Sequence, residues 1–386
     1  MIINIYSIIS VLIYITTFFS TTYFNYNILR YVLIAIIAIL LAAKMPVGTI
    51  LRNLKLNILV MLFLCATLWS SFSSNYGVDR NLKLASIVFC VAFLEFVLFL
   101  EIITDKNLML LCLKSWYKCA VIISMITDIL VMTQGSVNGN YLVGTKFAVV
   151  YQHLFLLALF MIVNAGALQK SNSLKNYRVR LSFCILLIFT GFLSIHIDCM
   201  TGVIGVVLFF LFGLLVKQKT VVMTHGFVFL GVVLVSFAFM WGVPFIMGNK
   251  NIASFITNNL NRSLTLTGRT VIFEQIPRIM DGKWVLGFGY GSSYEICFKY
   301  IGFADTQNAL MEWIMQVGIL GTGLFCSIIY YCISKVHKTF TSYTEWVWFL
   351  AFAYTYVVLG MIEITYGMQF MGALLVLYFM STTVDK

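Results

Sequence analysis

Charge is what this chain most lacks. Only 10% of its 386 residues are Asp, Glu, Lys or Arg, while 61% are hydrophobic and the mean hydropathy is +0.97. Ordinary soluble domains carry about 25% charged residues, so a water-soluble globule is excluded. Proline is almost absent, with three residues, which suits long uninterrupted helices. The nine cysteines are scattered and none are spaced as C-x-x-C. They read as small apolar packing residues, neither a disulfide framework nor a zinc site. There is no HExxH, no Walker loop, no nucleophile elbow and no group with metal-ligand spacing, so neither metal nor cofactor is expected. Metal-dependent sugar-nucleotide chemistry would need acidic pairs on a soluble domain, and none is visible.

What is present is a series of apolar runs of about 17–22 residues, the length of membrane-spanning helices; a β-barrel would instead alternate over about ten residues. The expected fold is all-α, a polytopic transmembrane bundle of about twelve spans. The first nine spans read as residues 3–20, 28–43, 56–72, 84–103, 116–132, 147–168, 181–197, 200–216 and 221–247. The last three read as 309–332, 346–363 and 368–382. The chain thus divides into 1–247 with spans one to nine, a large polar loop at 248–308, and 309–386 with the rest. The first run has no basic residue before Arg30 and no small-residue cleavage site, so it reads as a retained span.

Net charge is +11. In a soluble protein that would suggest nucleic acid as a partner; here the basic residues cluster in short loops and set topology, and no nucleic acid is expected. With a cytoplasmic N-terminus, the loops after spans two, four, six, eight and ten hold most clustered Lys and Arg. The short outer loops hold only Arg30, Arg80, Lys83 and Lys146. The long loop then lies outside. Glu95 falls mid-span, and Asp128, His153, His196, Asp198, Glu312 and Glu363 fall near outer span ends. They line an outward-opening polar cavity, or they reach water individually by snorkelling.

Within the long loop, Ile272, Phe273, Ile276, Ile279 and Met280 occupy one helical arc, with Glu274, Gln275, Arg278 and Asp281 on the other. This is a helix lying along the membrane or covering the bundle, bent at Pro277. Arg262, Arg269 and Arg278 are guanidiniums suited to phosphate, or they pair with Glu274, Asp281 or lipid headgroups. Gly287-Phe288-Gly289-Tyr290-Gly291 reads as a tight turn with close backbone approach, since it lacks the flanking elements of a dinucleotide site. Residues 305–308 read as a helix start, because Asp and Thr cap well. Asp305, Asn308, Glu312 and Gln316 recur at spacings that share one helical face.

Thr267-Gly268-Arg269, Pro277, the glycine series 287–291, Asp305-Thr306-Gln307-Asn308 and Gly318-Ile319-Leu320-Gly321 resemble, as an ordered set, the core of the O-antigen polymerase and ligase superfamily. The resemblance implies a GT-C-like membrane glycosyltransferase of the bacterial inner membrane, with its site on the periplasmic side. It would polymerise undecaprenyl-diphosphate-linked oligosaccharide into a surface polysaccharide without metal or other cofactor. Flippase and chain-length regulator proteins would be its partners, along with membrane lipid. Ligases of that family carry His where this chain has Gln307, which cannot act as a base, so polymerase is favoured. The usual Trp after the Gly-Arg is Phe273 here. By the same resemblance Arg269, with Arg278 or Arg262, would clamp the donor diphosphate. Asp305 or Glu312, with Glu274 and His196 behind them, would take the acceptor proton. Gln307, Asn308, Trp284, Tyr290 and Tyr294 would contact sugar. The alternatives are a ligase that transfers finished polymer and an exporter of lipid-linked oligosaccharide.

Overall fold

The computed structural model describes residues 4–21, 23, 25–44, 52–76, 81–137, 139–168, 174–247, 269–339 and 346–383. It is all-helical, 81% helix with no strands among the described residues. The elements are α1 (Ile5–Ile13), running into a π turn at Tyr14–Phe18, α2 (Asn27–Lys44), α3 (Leu54–Phe72), α4 (Leu82–Ile102) and α5 (Lys106–Gln134). Then come α6 (Lys146–Val163), the short α7 (Ala165–Leu168), α8 (Leu174–His196), α9 (Met200–Gln218), the short α10 (Thr220–Met223) and α11 (Gly226–Met247). Two helices outside the apolar runs follow, α12 (Arg269–Ile279) and α13 (Ser293–Ile301). The chain closes with α14 (Ala309–Thr339), α15 (Val347–Leu359) and α16 (Met368–Thr382).

Among the described residues eight helices, α2 to α6, α8, α9 and α14, are long and apolar enough to cross a membrane. Ile5–Phe18, Gly226–Gly242, Val347–Leu359 and Met368–Thr382 are shorter apolar helices. The expectation of a helical membrane protein holds, and some boundaries move for local reasons. The fifth run begins at Lys106 rather than Trp116 because Asp105 caps it, its carboxylate accepting the Asn107 N–H at 2.9 Å. The ninth is interrupted near Thr224, whose hydroxyl donates back to the Thr220 carbonyl at 2.8 Å. The eleventh stops at Leu359, which leaves Glu363 in the connection to α16.

Helix α14 is central, packing on α3, α11 and α16. Its Trp313 and Phe325 rings lie 5.1 Å apart and meet Phe63 of α3 at 5.5 and 6.0 Å. The helix is not continuous. Gly318 adopts φ 68°, ψ −179°, a region open essentially to glycine alone. The break would strand backbone groups in an apolar interior, and each stranded group costs several kcal/mol. Residues 284–289 fill it. Phe288 N–H donates to Met315 O at 2.8 Å, Gly289 N–H to Gln316 O at 2.9 Å and Ile319 N–H to Trp284 O at 2.8 Å. Ser70 of α3 adds its hydroxyl to Gln316 O at 2.7 Å, and Ser71 accepts the Tyr290 N–H at 3.0 Å. The two glycine motifs are therefore one structure. A side chain at Gly287 would meet the Gln316 carbonyl at 2.7 Å, and one at Gly318 would clash with Val285 O.

The amphipathic phase of α12 is realised as drawn from sequence. Ile272, Phe273, Ile276 and Met280 are buried against Met240 of α11, Phe288, Ile296 of α13, and Met311, Ile314 and Met315 of α14. Glu274 and Arg278 stay exposed. The helix thus covers the end of the bundle, each buried side chain contributing about 1.5–3 kcal/mol relative to exposure. Helix α13 was not expected within the loop.

Gly318→Ala should lower stability by about 3 kcal/mol or more, through strain and the clash with Val285 O. Gly323→Ala, where nothing lies within 4 Å, should be neutral or stabilising by up to about 1 kcal/mol. Thermal melting of the two variants in detergent checks both.

Candidate functional site

The polar residues expected around the start of α14 do converge, but their roles differ from one another. The helix cap is Asn308, not Asp305 or Thr306: its Oδ1 accepts the Met311 N–H at 3.0 Å. Its amide also donates to Ser236 O of α11 at 3.2 Å and to Met361 O at 3.3 Å. The Asp305 carboxylate instead accepts the backbone N–H of Gln307 at 2.8 Å and its side-chain amide at 2.6 Å. That pair of bonds holds Gln307 at φ 53°, a left-handed conformation rare outside glycine.

Glu312 is a buried tie. It accepts from the Ser293 hydroxyl of α13, from Thr306 Oγ1 at 3.0 Å and from Gln316 Nε2 at 2.7 Å. Gln316 in turn accepts the Gly291 N–H at 2.9 Å. The stripe at 308, 312 and 316 therefore joins α13, the glycine turn and the loop before α14, satisfying a carboxylate that burial would otherwise penalise heavily.

Arg269, the first residue of α12, points inward. Its Nη2 lies 2.6 Å from Glu363 Oε1 and its Nε donates to Ile362 O at 3.1 Å, with the side chains 15% and 5% exposed. Glu363 sits in the connection between α15 and α16. Burial pushes its carboxyl up to about 7, against the pull of Arg269 and with a further push from Asp305. A buried carboxyl near neutrality, paired to a guanidinium and facing a second carboxylate, can exchange a proton when the charge on its partner is taken up by a ligand.

Other expected residues lie apart from this pair. Arg278 is nine positions beyond Arg269, half a turn round the helix at 100° per residue, and it is exposed with Glu274. Arg262 lies outside the described residues, as do Thr267 and Gly268. Trp284 packs its ring against the α12 cluster and lends its carbonyl to the break in α14. Tyr290 stacks on Phe89 at 4.4 Å, and Tyr294 stacks on Phe298 at 5.7 Å. His196 is exposed at the end of α8, against Phe192. His153 pairs with Asp128 at 2.9 Å within the bundle, while Asp198 holds Lys146 at 3.8 Å on the surface. The polar residues near the span ends are thus divided among several places.

Glu363 was legible only as a polar residue near a span end. Its pairing with Arg269 spans 94 positions, and no local pattern announces it. Ser70 and Ser71 of α3, and Ser74 just beyond its end, whose hydroxyl donates to Phe288 O, were not singled out at all; in retrospect, serines gathered at the end of an apolar helix are the signal. Among the described residues no group of His, Cys, Asp and Glu could hold a metal ion. No family model, curated protein or solved structure matches the chain.

A carboxyl whose folded pKa lies above its unfolded value stabilises the fold in its protonated form. That contribution is complete below about pH 4.5 and is lost as pH rises through about 7. Raising the pH from about 5 to 8 should therefore lower stability by up to about 3 kcal/mol at low ionic strength. Glu363→Gln should flatten that dependence, as read from melting temperature against pH.

Proposed function

We propose that the chain is a membrane glycosyltransferase that joins lipid-diphosphate-linked saccharides, an O-antigen-polymerase-like enzyme. The observation that carries this reading is the placement of Arg269. The Gly-Arg motif, the glycine turn, residues 305–308 and the glycine pair at 318 and 321 resemble that superfamily in their order along the chain. In space Arg269, the glycine turn, residues 305–308 and the glycine pair gather about one broken helix, with Arg269 and Glu363 beside Asp305 at its mouth.

The distribution of charge supports the orientation. Arg52 donates to Thr382 O at 2.6 Å, so the start of α3 and the end of α16 share one end of the bundle. That end also carries Lys44, Lys55, Lys106, Arg178, Arg180, Lys217, Lys219, Lys335 and Lys338. Positive residues are retained on the cytoplasmic side. On this reading the opposite end, with Arg269 and Glu363, faces the periplasm, and the four shorter apolar helices complete a twelve-span, GT-C-like bundle of the inner membrane.

In this reading the donor diphosphate binds Arg269 and displaces Glu363 as its anionic partner. The freed carboxylate, matched to neutral pH, accepts the proton of an acceptor sugar hydroxyl. That oxygen attacks the anomeric carbon, the bond from that carbon to the diphosphate oxygen breaks, and the polyprenyl diphosphate leaves with its charge held by Arg269. Glu363 replaces Asp305 and Glu312 as the preferred base, since both of those are engaged in holding the loop and the start of α14.

Purified protein given polyprenyl-diphosphate-linked repeats should produce longer chains without added nucleotide sugar. Arg269→Ala and Glu363→Gln should each reduce the rate about a hundredfold or more while leaving the protein monodisperse. Full-length products from Arg269→Ala would sink the diphosphate assignment.

A further inference from the structure

Arg30 is a half-buried guanidinium on the Arg269 side that takes no part in the proposed reaction. It sits in the first turn of α2, half-buried, and its Nε donates to Thr16 O at 3.0 Å in the π turn after α1. No carboxylate forms an ion pair with it among the described residues. Two cavities meet at this side chain. One, of 320 Å³, lies between α2 and α4 and is lined by Asn27, Asn81, Ala85, Phe89 and Tyr290 as well as Arg30. It is bordered by Tyr31 and Leu84, which are 39% and 40% exposed on the flank of the bundle. The other, of 380 Å³, lies between the π turn, α6 and the connection 360–367, close to Glu363.

The second cavity is of mixed character, with Phe18, Phe19 and Met368 beside its polar groups, and no carboxylate is among its described lining residues. Tyr151, Gln152, Tyr356, Thr365 and Gln369 line it. The amide of Gln369 donates to Gln152 Oε1 at 3.1 Å, and Tyr356 OH donates to Gln369 Oε1 at 2.8 Å. Tyr151 is 8% exposed, yet its hydroxyl has no partner among the described residues. A buried hydroxyl left unpaired costs about 1–3 kcal/mol, and one on a residue that lines a cavity recovers that cost when a ligand there brings a partner within reach. A guanidinium with no carboxylate paired to it among the described residues suits a phosphate, and amides and phenols suit sugar hydroxyls. The opening along α2 and α4 admits a ligand that remains anchored by a lipid chain.

We infer that Arg30 contacts the phosphate of a second lipid-linked saccharide, the acceptor, whose first sugar occupies the cavity of Tyr151, Gln152 and Gln369. The isoprenoid chain leaves along Leu84 and Ala85. This assignment rests on the reading that two lipid-linked saccharides are joined: Arg269 holds the one whose diphosphate departs, and Arg30 holds the one whose hydroxyl attacks. A phosphate ester bearing hydroxyls could also be an anionic phospholipid, and the experiment separates the two sources.

The test uses the full chain in phosphatidylcholine nanodiscs, with polyprenyl-diphosphate-linked N-acetylglucosamine as the probe and native mass spectrometry as the readout. The wild type should bind two probes. Arg30→Gln and Ala85→Phe should each retain one, with at least tenfold weaker occupancy of the second, and Arg30→Lys should recover most of it. Tyr151→Phe should weaken that site about fivefold. Ala85→Phe leaves Arg30 and its bond to Thr16 untouched, so it reports on the cavity even if Arg30→Gln fails to fold. Two probes retained by Ala85→Phe would overturn the inference, as would displacement of the Arg30-dependent probe by equimolar phosphatidylglycerol. Chain elongation that survives beside unchanged binding in these variants would refute this site and leave the reaction standing. An Arg30-dependent probe on a chain that never elongates its substrate would support the site while refuting the reaction.

Discussion

The backbone of α14 cannot be left unpaired in an apolar interior, and the architecture of the site follows from that constraint. Lipid and packed aromatic side chains offer no hydrogen bonds. Once Gly318 turns the helix out of its course, the groups at 315–319 need partners from elsewhere in the chain. Residues 284–289 and Ser70 supply them. That insertion fixes the glycine turn against α14. The turn fixes Gln316 through the Gly291 N–H, and Gln316 fixes Glu312. Only with this series in place do α12 and α13 have a surface to cover, and only then is Arg269 held over the end of the bundle.

Scarcity of charge gives the few ionic contacts their weight. In a chain with 10% charged residues, a guanidinium and a carboxylate that are 15% and 5% exposed must satisfy one another or remain as buried charges. At Glu363 the cost of burying the charge outweighs the attraction of Arg269, which is why the carboxyl titrates near neutrality. Such a pair is sensitive to any anion that competes for the guanidinium. Glu312, by contrast, is surrounded by donors from three segments, an arrangement that suits structure more than proton transfer.

Much of the fold was legible because its cause is local. Apolar runs marked the membrane helices. The positions 272, 273, 276 and 280 marked the buried face of α12, and the spacing of 308, 312 and 316 marked a common face of α14. The glycines at 287 to 291 were legible as a site of close approach, but what approaches them was not. The misplaced features also have physical causes. Helix α5 begins early because Asp105 caps it, and the cap of α14 is Asn308 because the Asp305 carboxylate is turned onto Gln307. Helix α13 hides in the loop because its buried face, Ile296 and Cys297, is short and its neighbours Tyr294 and Phe298 are exposed.

The amino-acid sequence alone determined that this is an all-helical membrane protein, where most of its helices lie, and which end carries most of the positive charge. Those properties follow from hydropathy and helical period, which are read within a few turns of chain. Tertiary structure alone decided that Arg269 meets Glu363, that the break at Gly318 is closed by residues 284–289, and that Arg30 stands between two cavities. Each of these depends on segments far apart in the chain being pressed together by the burial of apolar surface and by the requirement that every buried backbone group find a partner.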